Sequence, residues 1–137
     1  MTKNEVSQQL GTIKSEDDLV DRVDDMVEMW TSSQVGFWAV EPILRFMEAR
    51  PTWDFGMPGS FVHFVEKFYR NGYEQELVKS IERHPTAHTV WMLHRVINGE
   101  KDLRERQKYV DVLHCAKRHK LIDASTLELV DEFLADT

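Results

Sequence analysis

Six histidines and a single cysteine are the side chains of this 137-residue sequence best suited to hold a metal or to act as base and nucleophile. Their spacing argues against both uses. His84 and His88 are four apart, but Pro85 lies between them and leaves His84 outside the helix that would set both rings on one face. The H-E-x-x-H pattern of zinc hydrolases is absent. His114 and His119 are five apart and fall off a common helical face, whereas Cys115 and His119, at i and i+4, can approach each other. Two ligands fall short of a structural zinc site, so neither a metal nor a cofactor is expected. Cys115 has His114, Lys117, Arg118 and His119 as neighbours, which is the company that lowers a thiol pKa. It also adjoins Val112, Leu113 and Ala116, the apolar side of a predicted helix, where a small buried thiol is the ordinary outcome. No G-x-S-x-G, P-loop or G-x-G-x-x-G string occurs. The pairs Asp17-Asp18 and Asp24-Asp25 suit a solvated helix face better than an acid/base pair. The chain therefore reads as a non-enzyme, with a Cys115/His119 enzyme ranked well below any binding role.

What stands out instead are side chains that favour protein interfaces. Trp53, Asp54 and Phe55 lie in the turn from Arg50 to Gly59, which holds two prolines and two glycines. The two aromatic residues there either anchor a partner or fold back over the core. His88, Trp91, Met92 and Arg95 recur at i, i+3, i+4 and i+7, a stripe set apart from the apolar Val90, Leu93 and Ile97. Such a mixture suits a hot spot, although a tryptophan packed between helices accounts for it equally. A third group is acidic: Asp21, Asp24, Asp25 and Glu28, preceded by Asp17 and Asp18.

Helices must position these residues. Leu19, Val20, Val23, Met26, Val27 and Trp30 have helical spacing, and Ser15 with Asp18 resembles a capping box that starts this helix near residue 16. A second helix is predicted over Phe37 to Ala49, with Pro42 in its first turn or at a kink. A third carries Phe61 to Phe68 and ends where Asn71-Gly72 supplies left-handed backbone. The fourth spans Tyr73 to Arg83, and the fifth runs from a Thr86 cap to Ile97, closed by Asn98-Gly99. Asp102 opens the sixth and Ser125 the seventh. The expectation is an all-α fold of about seven helices packed as antiparallel hairpins, forming one domain over residues 1–137 with residues 1–15 a flexible N-terminus. Ile43 to Thr52 and Leu77 to Thr86 match weakly at an offset of 34, each a helix followed by Pro-Thr. That leaves a short HEAT-like α-solenoid and a compact helical bundle as alternatives.

With 42% hydrophobic residues the chain can bury a core without staples. The first stretch, MTKNEVSQQLGTIKSEDD, lacks a secretory apolar run, and no segment approaches the length of a spanning helix, so a cytoplasmic protein without membrane contact is expected. Residues 1 to 36 carry three basic and eight acidic side chains, a balance of −5. Residues 79 to 120 carry ten and five, a balance of +5. The overall net charge of −7 argues against direct nucleic-acid binding, which needs a sustained basic footprint.

The string from Leu77 to Gly99, LVKSIERHPTAHTVWMLHRVING, with Gly59 to Glu66, GSFVHFVE, upstream of it, resembles small helical immunity-type proteins of bacterial polymorphic and contact-dependent toxin systems. The resemblance covers roughly residues 40 to 115 and brings no catalytic motif. It implies a cytoplasmic immunity protein that binds a cognate protein toxin tightly and blocks its active site. A basic nuclease-type toxin domain would suit the acidic first helix. The alternative from the residues alone is a helical-repeat adaptor in a larger assembly.

Overall fold

Polar side chains at the helix starts fix the order of elements. In the computed structural model, which describes residues 1 to 137, Thr2, Ser15, Thr86, Asp102 and Asp123 each accept a hydrogen bond from a backbone N–H of the turn that follows. The elements are α1 (Lys3–Gly11), α2 (Glu16–Ser32), a 3₁₀ turn (Phe37–Ala39), α3 (Val40–Glu48), α4 (Ser60–Glu66), α5 (Tyr73–Arg83), α6 (Ala87–Gly99), α7 (Leu103–Ala116) and α8 (Ala124–Ala135). There is no strand, and the all-α class read from the periodicity is the one observed. No helix is long and apolar enough to cross a membrane.

The eighth helix is α1, and it corrects the expectation of a flexible segment over residues 1–15. Thr2 and Glu5 form a reciprocal capping box, and Val6, Leu10 and Ile13 are buried. Two boundaries also move. Asp123, rather than Ser125, caps α8, accepting from the Thr126 N–H at 2.7 Å. The turn after α4 places Arg70 and Gly72, not Asn71, in left-handed backbone, with φ of 66° and 107°. Gly72 is doubly required, because a Cβ there would also lie 2.7 Å from the Phe37 ring.

The chain read as one domain divides into two compact units, Met1–Tyr73 and Glu74–Thr137. In the first, α1 packs on α3 and the 3₁₀ turn, and α2 packs on α4. Trp30 is the centre of this core. It is fully buried and stacks on Phe61, with centroids 5.7 Å apart and planes 9° apart. Phe64 meets it edge-on at 5.6 Å. Its indole N–H donates to Gln9 Oε1 at 2.6 Å, which ties α2 to α1. Pro42 sits in the first turn of α3, where a missing N–H costs no helical bond.

In the second unit, α6 packs on both α7 and α8, and α7 on α8. A helix with two neighbours buries a wide arc, and Val90, Met92, Leu93, Val96 and Ile97 of α6 are all buried. The repeat loses its support here. After Thr86 a helix begins at once, with Thr86 as its cap, whereas after Thr52 the chain runs through a loop until Ser60. The two copies share punctuation but not structure.

His94 of α6 stacks on Phe133 of α8 with centroids 3.9 Å apart, and its Nε2 is buried without a hydrogen-bond partner. Burial lowers its pKa below the ordinary histidine value, against a smaller opposing pull from Asp136. The sign follows: the unfolded chain takes up this proton more readily, so the contribution is whole above about pH 6.5 and is lost as pH falls through the lowered value. Stability of the second unit is therefore expected to decline between about pH 7 and 5 by more in the native chain than in His94→Gln. Thermal unfolding at stepped pH checks this, and parallel pH profiles for the two proteins would count against it.

Candidate functional site

The acidic helix and the Pro/Gly turn, distant in sequence, meet in the first unit. The Glu16 carboxylate of α2 accepts the backbone N–H of Asp54 at 2.7 Å across 38 residues. Asp54 Oδ1 in turn accepts the Gly56 N–H at 2.8 Å, and the Ser60 hydroxyl donates to the Asp24 carboxylate. Between α2 and this turn lies a cleft of about 620 Å³. Its apolar lining comes from Leu19, Val20 and Val23 of α2 and from Phe55, Pro58 and Phe61 opposite. Four carboxylates also line it, Glu16, Asp17, Asp24 and Asp54, with His63 the sole basic-type side chain among them. Gly59 permits the turn, since a Cβ there would stand 2.1 Å from the Phe55 carbonyl oxygen.

The acid continues along α2. Asp17, Asp21, Asp24 and Glu28 are spaced i, i+4, i+7 and i+11, which places them in one stripe, and all four are exposed. The one basic residue of the helix, Arg22, is turned away to Asp18 at 3.1 Å and to the Thr12 hydroxyl at 2.8 Å. Asp25 lies off the stripe, beside Arg22, Met26 and Met29 in a shallower depression. Val20, placed with the apolar face by the periodicity, is 67% exposed and borders the stripe. Leu19, Met26 and Trp30 alone suffice to bury the inner face of α2.

Of the interface candidates, Asp24 and Asp54 are thus brought together at one cleft, with Asp21 and Glu28 on its approach. Trp53 folds back: it is half-buried, edge-on to Phe46 at 6.0 Å, with the Arg50 guanidinium 5.4 Å from its ring centroid. Phe55 is buried and also packs on Phe46, at 6.1 Å. The α6 stripe does not survive as a surface feature. Met92 is fully buried and His88 nearly so, because α6 is covered on two sides. Trp91 and Arg95 stay half-exposed, the guanidinium 5.1 Å from the indole centroid, and His88 lies 5.5 Å from the same indole. These residues lie in the second unit, the acidic stripe and the Trp53 turn in the first.

Cys115 departs from its expected burial and is exposed. The packing side of α7 is Tyr109, Val110, Leu113 and Ala116, and Cys115 stands one step off it. The thiol borders a smaller cavity of about 260 Å³ together with Ile81, Val112 and His119. His119 offers it no base. Its Nε2 lies 2.8 Å from the Glu82 carbonyl, to which it must donate, and its Nδ1 accepts the Leu121 N–H at 3.0 Å. Both ring nitrogens are committed.

The cleft residues Glu16, Ser60 and His63 were not singled out by spacing, since the pairing of α2 with the turn is non-local. The local signal available was a Pro/Gly-rich turn bearing aromatics downstream of an acidic amphipathic helix. Neither a family model, nor a curated protein, nor a solved structure matches this chain.

Proposed function

We propose that this chain is a non-enzymatic, cytoplasmic inhibitor of the immunity type, which binds a cognate protein toxin through a basic docking surface on that toxin. The observation that carries the reading is the exposed stripe Asp17, Asp21, Asp24 and Glu28 leading into an apolar-lined cleft. Four like charges along three turns of one helix repel each other, a cost that an opposing basic surface would relieve. The field of such a stripe also speeds the encounter with a basic partner. The committed nitrogens of His119 fit a binding role better than thiol catalysis.

The test is a pull-down of the tagged full chain from its source cells at moderate salt, with bound proteins identified by mass spectrometry. One stoichiometric partner that is toxic when expressed alone, and harmless when co-expressed with this chain, is the expected outcome. Several non-toxic partners from one assembly would replace this reading with the adaptor.

A further inference from the structure

The cleft between α2 and the Asp54–Gly59 turn combines two features that usually exclude each other. Its floor is apolar, built from Leu19, Phe55 and Phe61, which bury the inner side, with exposed Val20 at the mouth. Its rim is anionic on both sides, with Asp17 and Asp24 from the helix and Asp54 from the turn. The opposing walls are held at fixed spacing by the bonds from the Asp54 N–H to Glu16 and from the Ser60 hydroxyl to Asp24. Each of those carboxylates keeps acceptor capacity, since an ionised carboxylate offers about four lone-pair sites.

Resting on the partner-binding reading above, we propose that the cleft receives an arginine side chain from the partner's docking segment, followed or preceded by an apolar residue. An apolar occupant alone would leave the rim carboxylates facing a surface that excludes water from them, which is unfavourable. A lysine would present a compact, strongly hydrated point charge that loses much of its hydration on an apolar floor. A guanidinium is planar and weakly hydrated, carries five N–H donors in a fixed fork, and tolerates stacking on apolar and aromatic surface. It can donate to carboxylates on both walls while its stem covers the floor. A cleft of about 620 Å³ has room for that side chain and one apolar neighbour.

The test uses the full chain, ¹⁵N-labelled, titrated with the blocked pentapeptide Gly-Leu-Arg-Leu-Gly and with its lysine and citrulline counterparts, citrulline being the neutral near-isostere of arginine. Saturable amide shifts confined to residues 16–24 and 54–63 are expected with the arginine peptide, with affinity weakened about tenfold by lysine and more by citrulline. Asp17→Asn, whose carboxylate takes no part in the internal bonds, is expected to weaken the arginine peptide several-fold while leaving the spectrum otherwise intact. Equal affinity for arginine and citrulline, shifts elsewhere on the chain, or no shifts at millimolar peptide would each overturn the proposal. The two readings fail separately. A toxin partner whose affinity is unchanged by Asp17→Asn and Asp24→Asn leaves the inhibitor standing and removes the cleft from its interface. A cleft that selects arginine in a chain without a toxin partner removes the inhibitor and keeps the site.

Discussion

Replacing Trp30 by alanine is expected to destabilise the first unit by about 3–5 kcal/mol, the range for truncating a buried aromatic side chain. The residue has no exposed surface, so the whole indole volume becomes cavity. Three contacts go with it: the stack on Phe61, the edge contact with Phe64 and the hydrogen bond to Gln9. The last has a directional consequence. Gln9 belongs to α1, and losing its partner frees α1 from α2, so amide exchange in α1 should rise beyond the exchange rise in α3. Trp30→Phe keeps much of the stacking and loses the donor, and should cost a fraction of the alanine penalty. Urea unfolding followed by far-UV circular dichroism measures both variants. Because the chain forms two compact units, the second is expected to retain its own transition near its native midpoint. A loss below about 1 kcal/mol for Trp30→Ala would contradict the central place given to this side chain.

Where local chemistry decided structure, the sequence was readable. Ser15, Thr86 and Asp102 cap helices where their spacing predicts, and α5 occupies the predicted Tyr73 to Arg83. Thr2-x-x-Glu5 is the same capping signal, but the helix behind it buries only Val6 and Leu10, too few apolar positions to stand out as periodic. Met92 and His88 escaped correct placement for the opposite reason. A helix that packs against one neighbour shows a narrow apolar stripe, whereas α6 packs against two and buries side chains that look like a separate face. The acidic character of α2 was legible at once, and its use was not. The cleft depends on Glu16 reaching the Asp54 N–H 38 residues away, and no periodicity encodes a contact at that separation. Cys115 shows how coarse a neighbouring apolar run is as a guide: one residue's rotation from Ala116 takes the thiol from core to surface.

Neutralising the stripe with Asp17→Asn, Asp21→Asn, Asp24→Asn and Glu28→Gln is expected to slow association with the toxin by about 10- to 1000-fold at low salt. Most of the effect should lie in the on-rate, because exposed charges act on encounter more than on the docked state. The fold should tolerate the change. Asp17 lies in the first turn of α2, where removing a negative charge costs roughly 0.3–1 kcal/mol against the helix dipole. Removing the like-charge pairs Asp17/Asp21 and Asp24/Glu28, each i,i+4, returns a similar amount. Asparagine at position 24 still accepts from the Ser60 hydroxyl, so the wall of the cleft is kept. Stopped-flow association at stepped ionic strength separates the contributions. The native protein should slow steeply as salt rises and the screening length falls from about 30 Å at 0.01 M to about 8 Å at 0.15 M, while the neutralised variant stays nearly flat. Two curves that converge at high salt identify the stripe as the source of the attraction. Parallel curves would place the attraction elsewhere on the chain, and the acidic face of α2 would then serve only to keep an amphipathic helix in water.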